Sequence, residues 1–165
     1  MSEINIAPAL PGHKAPKPVR TVEQELIRRN RPVLLGALKE LGLNQVNVDY
    51  SGSGDSGGIE QTRILPVGSD ESIETTGAFN EHRVTIWWTD AFWSQPSRGA
   101  KFARKTMALA EAIHEIAEEL LDQHFGGFEN NDGGSGSVVF DAGEKQIRID
   151  HDWNITTTEF EQVIL

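Results

Sequence analysis

The spacing of apolar residues predicts a long helix near the start of the chain. Apolar side chains recur at helical intervals between Thr21 and Gly42, and the glycine marks the C-terminal end. Thr21 and Gln24 have the spacing of a capping box. Pro32 lies inside this pattern, and its ring displaces the carbonyl four residues back. The sequence therefore predicts that the helix kinks or divides near Arg31.

A second long helix is predicted over residues 98–124. Its apolar stripe consists of Phe102, Leu109, Ile113, Ile116, Leu120 and Leu121. Basic residues crowd its N-terminal part and acidic residues its C-terminal half, which is the reverse of what the helix dipole favours. We therefore expect another interaction to hold this distribution of charge.

Period-two alternation and β-branched or aromatic residues predict strands over residues 45–51, 59–67, 83–89, 137–141 and 146–150. The first two strands flank the Gly/Ser segment Ser51–Gly58, which predicts a hairpin with a long, mobile tip. The last two form a hairpin around Ala142–Lys145. Residues 68–81 are predicted to be an acidic loop, whereas residues 153–165 are compatible with a short strand or a short helix.

The order of these elements does not alternate strictly between strand and helix. It predicts an α+β fold, in which an antiparallel sheet of two hairpins plus a central strand carries two main helices on one face. Residues 1–20 contain four prolines and predict a disordered or extended arm. Residues 21–165 are predicted to form a single domain.

Composition narrows the class of protein. The chain of 165 residues has no cysteine, which excludes disulfides, thiolate metal sites and a cysteine nucleophile and is compatible with the cytoplasm. It also has no apolar run of membrane-spanning length. The net charge of -10 argues against direct binding of nucleic acid. We expect a cytoplasmic protein of unknown oligomeric state.

The charge is unevenly distributed along the chain. Residues 1–42 carry seven basic and four acidic residues, so the remainder of the chain has a net charge of −13. The simplest interpretation is solubility, and the sharper one is an acidic surface for a basic partner or for cations.

The first Gly-rich segment contains Gly54-Asp-Ser-Gly-Gly58, the string found around the nucleophile of trypsin-like proteases. That triad needs a histidine and an aspartate before the serine, and the only histidine before Ser56 is His13, in the Pro-rich arm. The match therefore predicts no catalytic residue here.

The second Gly-rich segment supplies the oxygen donors Glu129, Asn130, Asn131 and Asp132. An EF-hand is excluded, because aligning its central glycine with Gly133 puts unsuitable residues at both ends of the loop. Three interpretations stay open: an irregular Mg²⁺ or Ca²⁺ site, a tight turn shaped by Asn and Asp side chains, and a surface that recognises protein. The candidate ligands for the metal site are Asp55, Glu60, Glu129 and Asp132.

The tryptophans offer a further candidate surface. Trp87 and Trp88 alternate on one predicted strand and therefore face opposite ways. Together with Trp93 they could form an exposed patch that binds protein. A platform for stacking nucleic-acid bases would need a basic groove beside them.

The segments Tyr50–Glu60 and His124–Gly136, with the following Val-Val-Phe-Asp141, resemble an uncharacterised bacterial domain family. Its members occur among chromosomal, plasmid and phage proteins and carry similar paired loops. The resemblance covers roughly residues 43–160, with Phe128 where Trp is expected. It implies no catalytic role, but it implies that the polar residues of the two segments belong to one surface: Asp55, Glu60, Glu129, Asn131 and Asp132.

The leading hypothesis is an acidic binding or regulatory protein without a cofactor. It would recognise a basic protein, and an inhibitor of a nucleic-acid-processing host-defence complex encoded by a mobile element is one concrete form. The predicted binding surface comprises Asp55, Ser56, Glu60, Trp88, Glu129, Asn130, Asn131 and Asp132. The alternative is a hydrolase in which the loop carboxylates hold Mg²⁺ or Ca²⁺.

Overall fold

The strands form two antiparallel sheets. The computed structural model describes residue 12 and residues 16–164, which contain three helices and six strands. In chain order these are α1 (Val22–Glu40), β1 (Leu43–Ser53), β2 (Ser56–Pro66), α2 (Gly77–Glu81), β3 (Arg83–Trp88), β4 (Ala103–Ala108), α3 (Leu109–Phe125), β5 (Gly134–Asp141) and β6 (Gln146–Trp153). The predicted α+β class is confirmed.

The larger sheet has the strand order β2-β1-β5-β6, which confirms both predicted hairpins. Alternate residues of β1 are buried, whereas residues 138–141 of β5 are all buried. Cross-strand partners such as Val46 with Phe140 and Val48 with Val138 belong to the core. The buried stripes of α1 and α3 join the same core cluster. One face of the sheet is therefore covered by both long helices.

The third predicted strand is not central to this sheet. β3 pairs with β4 in a separate two-stranded sheet, with Val84 opposite Met107. The other edge of β3 is closed by a side chain, because the Asn30 amide accepts from Trp87 N at 2.7 Å and donates to Trp87 O at 2.9 Å. Asn30 thus takes the place of a neighbouring strand and joins α1 to β3.

The second long helix starts at Leu109, so the prediction of a helix over residues 98–124 is wrong for residues 98–108. Residues 103–108 instead pair with β3, where the hydroxyls of Thr85 and Thr106 lie 2.8 Å apart. Pairing with a distant strand has overridden local helical spacing. The basic residues therefore precede α3, and the inferred reversal of charge along one helix disappears.

The first helix follows its predicted signals with one exception. The capping box is present, since Gln24 N donates to Thr21 Oγ1 at 3.2 Å and Thr21 N donates to Gln24 Oε1 at 3.1 Å. The sequence predicts a kink or a division near Arg31, and the helix is continuous through Pro32, so a division there is wrong. Pro32 lies on the exposed side, which leaves the buried stripe intact on both sides of the ring.

The prediction of a long hairpin tip is also wrong. Both strands extend into the Gly/Ser segment and are joined by Gly54 and Asp55, whose φ angles are +57° and +67°. Two successive positive φ angles are typical of the tight hairpin turn that suits the twist of paired strands. Asp55 is thus held in a turn rather than in a loose loop.

The remaining segments have little regular structure. The predicted acidic loop contains the short helix α2, and residues 154–164 after β6 form neither strand nor helix. Residues 16–20 lack regular secondary structure, and the rest of the predicted arm, except Gly12, lies outside the described residues. None of the helices in the described ranges is long and apolar enough to cross a membrane.

Candidate functional site

The two Gly-rich segments lie directly against each other. Gly54 N donates to Asn131 O at 3.2 Å, and Asp55 N donates to Glu129 O at 3.0 Å. We call residues 51–58 the first glycine turn and residues 126–136 the second glycine turn. Their backbones are joined by hydrogen bonds, so the two segments that carry the family resemblance are neighbours in the fold.

Glycine is required where the turns meet. A Cβ atom on Gly52 would lie 2.8 Å from the Cβ of Glu129, and one on Gly133 would lie 2.7 Å from the carbonyl carbon of Gly52. Gly133 also has a φ of +80°, which other L residues rarely adopt. The glycines therefore allow one backbone to approach another, whereas the sequence suggested only flexibility.

An aromatic group lies beneath the two turns. The buried Tyr50 hydroxyl lies 2.6 Å from His151 Nδ1, and its ring packs edge-on against Phe128 at 5.0 Å. The His151 ring stacks on Phe125 at 4.0 Å. Burial raises the pKa of Tyr50 to about 12 and lowers the pKa of His151. Both side chains are therefore neutral near pH 7, and they connect the second glycine turn to the sheet.

The predicted site residues divide into separate groups. Asp55 and Ser56 are exposed at the tip of the first hairpin. Glu60 is the extra residue of a β-bulge, because Ile59 pairs with Tyr50 and Gln61 pairs with Asp49. The Glu60 carboxylate accepts a hydrogen bond from the Ser51 hydroxyl.

The polar residues of the second glycine turn have local roles. Asp132 accepts a hydrogen bond from Thr156 N at 3.0 Å, and the hydrogen bonds from Thr156 lower its pKa. Asn131 has a positive φ of 55°, and a Cβ added to Gly127 would contact the Asn130 side chain at 2.8 Å. Turn formation therefore accounts for Asn131, whereas the Asn130 side chain lies against Gly127.

The four proposed metal ligands have different neighbours. Within residues 16–164, no group of three or more His, Asp or Glu side chains is arranged to hold a metal ion. The metal-dependent hydrolase stays a prediction, and calorimetry with Mg²⁺, Mn²⁺ and Ca²⁺ is its direct test.

Two of the predicted site residues, Glu129 and Trp88, line a cleft of about 590 Å³ that the other predicted residues do not line. The first glycine turn contributes Gly57 and Gly58 to one side, and the second contributes Gly126 and Gly127. The helix α3 adds four carboxylates to the lining: Glu115, Glu118, Glu119 and Asp122. With Glu129 this makes five carboxylates in one depression, which we call the acidic cleft.

Lys105 is the single cation among the residues that line this cleft. Its ammonium lies 3.2 Å from both carboxylate oxygens of Glu115 and 5.5 Å from the centre of the Trp88 ring. The cleft thus already contacts one ammonium group through a carboxylate and an aromatic face.

The predicted patch of three exposed tryptophans is wrong. Trp93 is only 4% exposed and packs edge-on against Trp88 at 6.2 Å. Trp87 is covered by the Arg29 guanidinium, 4.6 Å from its ring centre. Trp88 remains half-buried on the lining of the acidic cleft, as the alternation along β3 allows.

Burial and the crowding of like charges act together on Glu119 in the cleft. Burial raises the pKa of Glu119, and the neighbouring Asp122, Glu118 and Glu115 raise it further. The ionised form of Glu119 is therefore disfavoured by its surroundings. A cation that entered the cleft would relieve this repulsion.

The acidic surface continues along α3. A second depression of about 440 Å³ is lined by Thr62, Glu74, Glu111 and His114, and it shares Glu115 and Glu118 with the acidic cleft. The Thr62 hydroxyl lies 2.7 Å from His114 Nε2 and joins β2 to α3 at this point. The two depressions follow one flank of β2.

The acids of α3 that line the cleft are absent from the predicted binding surface. Glu115, Glu118, Glu119 and Asp122 are spaced by three or four residues, which places them on one side of a helix. That spacing was the available signal. The longer helix predicted from the sequence assigns these acids instead to an unusual distribution of charge along one helix.

Comparison with known proteins gives a family and no function. No curated protein and no solved structure matches this chain. A family model described as "Family of unknown function (DUF6878)" matches residues 26–163, which include both glycine turns and the whole of α3. The chain therefore belongs to this family of unknown function, DUF6878.

Proposed function

We propose that this protein binds a basic segment of a partner protein in the acidic cleft. The observation that supports the proposal best is the convergence of five carboxylates beside the half-buried ring of Trp88. Lys105 provides the internal example, because its ammonium contacts Glu115 and lies over the same ring. A lysine or arginine of the partner would be held by the same two kinds of contact.

The electrostatics of the cleft favour a cationic ligand. Glu118, Glu119 and Asp122 have no basic partner among the ion pairs of the described residues. Burial raises the pKa of Glu119, and repulsion from the neighbouring carboxylates raises it further. An incoming cation would favour the ionised form of Glu119. At pH values near the pKa of Glu119, binding would therefore be accompanied by release of a proton, and the affinity would increase as the pH rises through that pKa.

The shape of the cleft favours a protein segment over an isolated ion. The four glycines on its rim carry no side chains, so the backbone of a ligand can approach closely. Phosphate groups would be repelled by the carboxylates, which disfavours nucleic acid. The same carboxylates would compete with phosphate for a basic surface, so proteins that process nucleic acids are the first class of partner that we would test.

Two pairs of neutralising substitutions test this proposal. Glu118→Gln with Asp122→Asn removes two charges from the cleft, and Glu159→Gln with Glu161→Gln removes two from the segment after β6. The probe is a fluorescent hexapeptide of alternating lysine and threonine, and binding is measured by anisotropy at low salt. We expect the cleft pair to weaken binding about tenfold, which corresponds to about 1.4 kcal/mol.

The control pair leaves the cleft unchanged and should alter the affinity by less than about twofold, since screening limits distant charges. Equal losses for the two pairs would show that net charge governs binding, which would contradict a cleft-specific site. Absence of peptide binding to the unmodified protein would also contradict the proposal.

A further inference from the structure

The outer edge of β2 lies beside the acidic cleft. β2 is the edge strand of the four-stranded sheet, and its residues 56–58 and 60–61 are exposed. Edge strands carry backbone N–H and C=O groups that can pair with another strand. The flank of β2 that borders α3 therefore offers hydrogen-bonding groups as well as charge.

One residue of this edge already pairs with a second segment. Ile64 and Ile73 form an antiparallel bridge in which Ile64 N donates to Ile73 O and Ile73 N donates to Ile64 O, both at 2.7 Å. The N–H and C=O of Ile64 therefore point away from β1. Because these groups alternate between the two edges of a strand, the N–H and C=O of Thr62 point to the same outer edge. The register with β1 is uninterrupted between these residues.

The edge is open beyond this bridge. In the part of the chain that the structure describes, no backbone hydrogen bond reaches Gly57–Thr62 from a segment other than β1. Thr62 borders the second depression, and Gly57–Ile59 border the acidic cleft. There is thus space for an extended chain next to β2.

The geometry of α3 matches an added strand. Residues 115–122 of α3 line the same depression as Gly57, and residues 110–118 line the same depression as Thr62. The helix therefore runs in the direction opposite to β2. Carboxylates three or four residues apart on a helix are separated by about 4.5–6 Å along its axis. Alternate residues of a strand are separated by about 6.6 Å, so successive basic side chains would meet successive acids.

We propose that the basic segment binds in extended form and adds a strand to the edge of β2. This inference rests on the proposed function and specifies its partner: a short segment with lysine or arginine at every second position. Its backbone would pair with β2 while alternate side chains reach Glu115, Glu118 and Asp122. The bulge at Glu60 keeps this pairing short and disfavours long edge-to-edge association.

Backbone methylation of the probe peptide tests the added strand. Two analogues of the lysine–threonine hexapeptide are N-methylated, one at the lysine amides and the other at the threonine amides. Alternate N–H groups of a strand point in opposite directions, so one analogue loses its hydrogen bonds to β2 and the other keeps them. We expect one analogue to bind about tenfold more weakly or worse, and the other to bind within about threefold of the parent.

Protection of the Thr62 amide is a second measurement. The parent peptide should slow hydrogen exchange at Thr62 at least about tenfold, because its N–H gains a partner. Equal affinities for both analogues, or equal losses, would overturn the added strand while the charge-dependent binding stands. No binding of the parent peptide would instead overturn the proposed function itself.

Discussion

Replacing Gly133 by alanine is expected to lower the free energy of unfolding by about 3 kcal/mol or more. Gly133 has a φ of +80°, and its Cβ would overlap the Gly52 carbonyl oxygen and lie 2.8 Å from the Cα of Ser53. These are backbone atoms, so no change of side-chain rotamer relieves the overlap. The second glycine turn would have to separate from the first. Urea denaturation measures the loss.

Gly68→Ala is the matched control for this substitution. Gly68 has a similar φ of +74°, but an added Cβ would have no neighbour within 4 Å. Its replacement should cost about 1 kcal/mol, the penalty of the left-handed backbone conformation alone. Equal losses for the two variants would contradict the close contact between the turns.

Replacing Asn30 by aspartate is expected to destabilise the fold by about 3 kcal/mol. Asn30 is only 2% exposed, and its amide makes both hydrogen bonds to the backbone of Trp87. Aspartate has nearly the same shape but cannot donate to Trp87 O while ionised. It would also bring a negative charge against that carbonyl oxygen in a buried position. Thermal and urea unfolding at pH 7 measure the effect.

Asn80→Asp provides the corresponding control on an exposed asparagine. Asn80 donates to the Thr75 hydroxyl at 2.7 Å and is accessible to water, so its substitution should change stability by about 0.5 kcal/mol or less. A loss at Asn30 no larger than at Asn80 would contradict its role in closing the edge of β3.

Local signals predicted much of the fold. The capping box at Thr21 and Gln24 and the helical apolar stripe located α1, and alternation located β1, β2, β3, β5 and β6. These features depend on residues that are close in the sequence. The class α+β followed from the order of the elements.

Distant contacts explain what the sequence interpretation missed. In β4 only Met107 is buried, so this strand depends on pairing with β3 and has little apolar alternation of its own. The glycines of the two turns resembled a flexible loop, because the close approach of Gly52 and Gly133 is visible only in three dimensions. The acidic cleft likewise combines α3 with two segments that lie before and after it in the chain.

The central claim is that a basic segment binds in the acidic cleft. Its most direct test is a titration of isotopically labelled protein with the lysine–threonine peptide, followed by two-dimensional NMR. The account predicts progressive shifts of the Trp88 indole N–H and of the Gly57, Gly58, Gly126 and Gly127 amides, which line the cleft. Shifts confined to other surfaces, or no shifts at peptide concentrations up to the millimolar range, would contradict it.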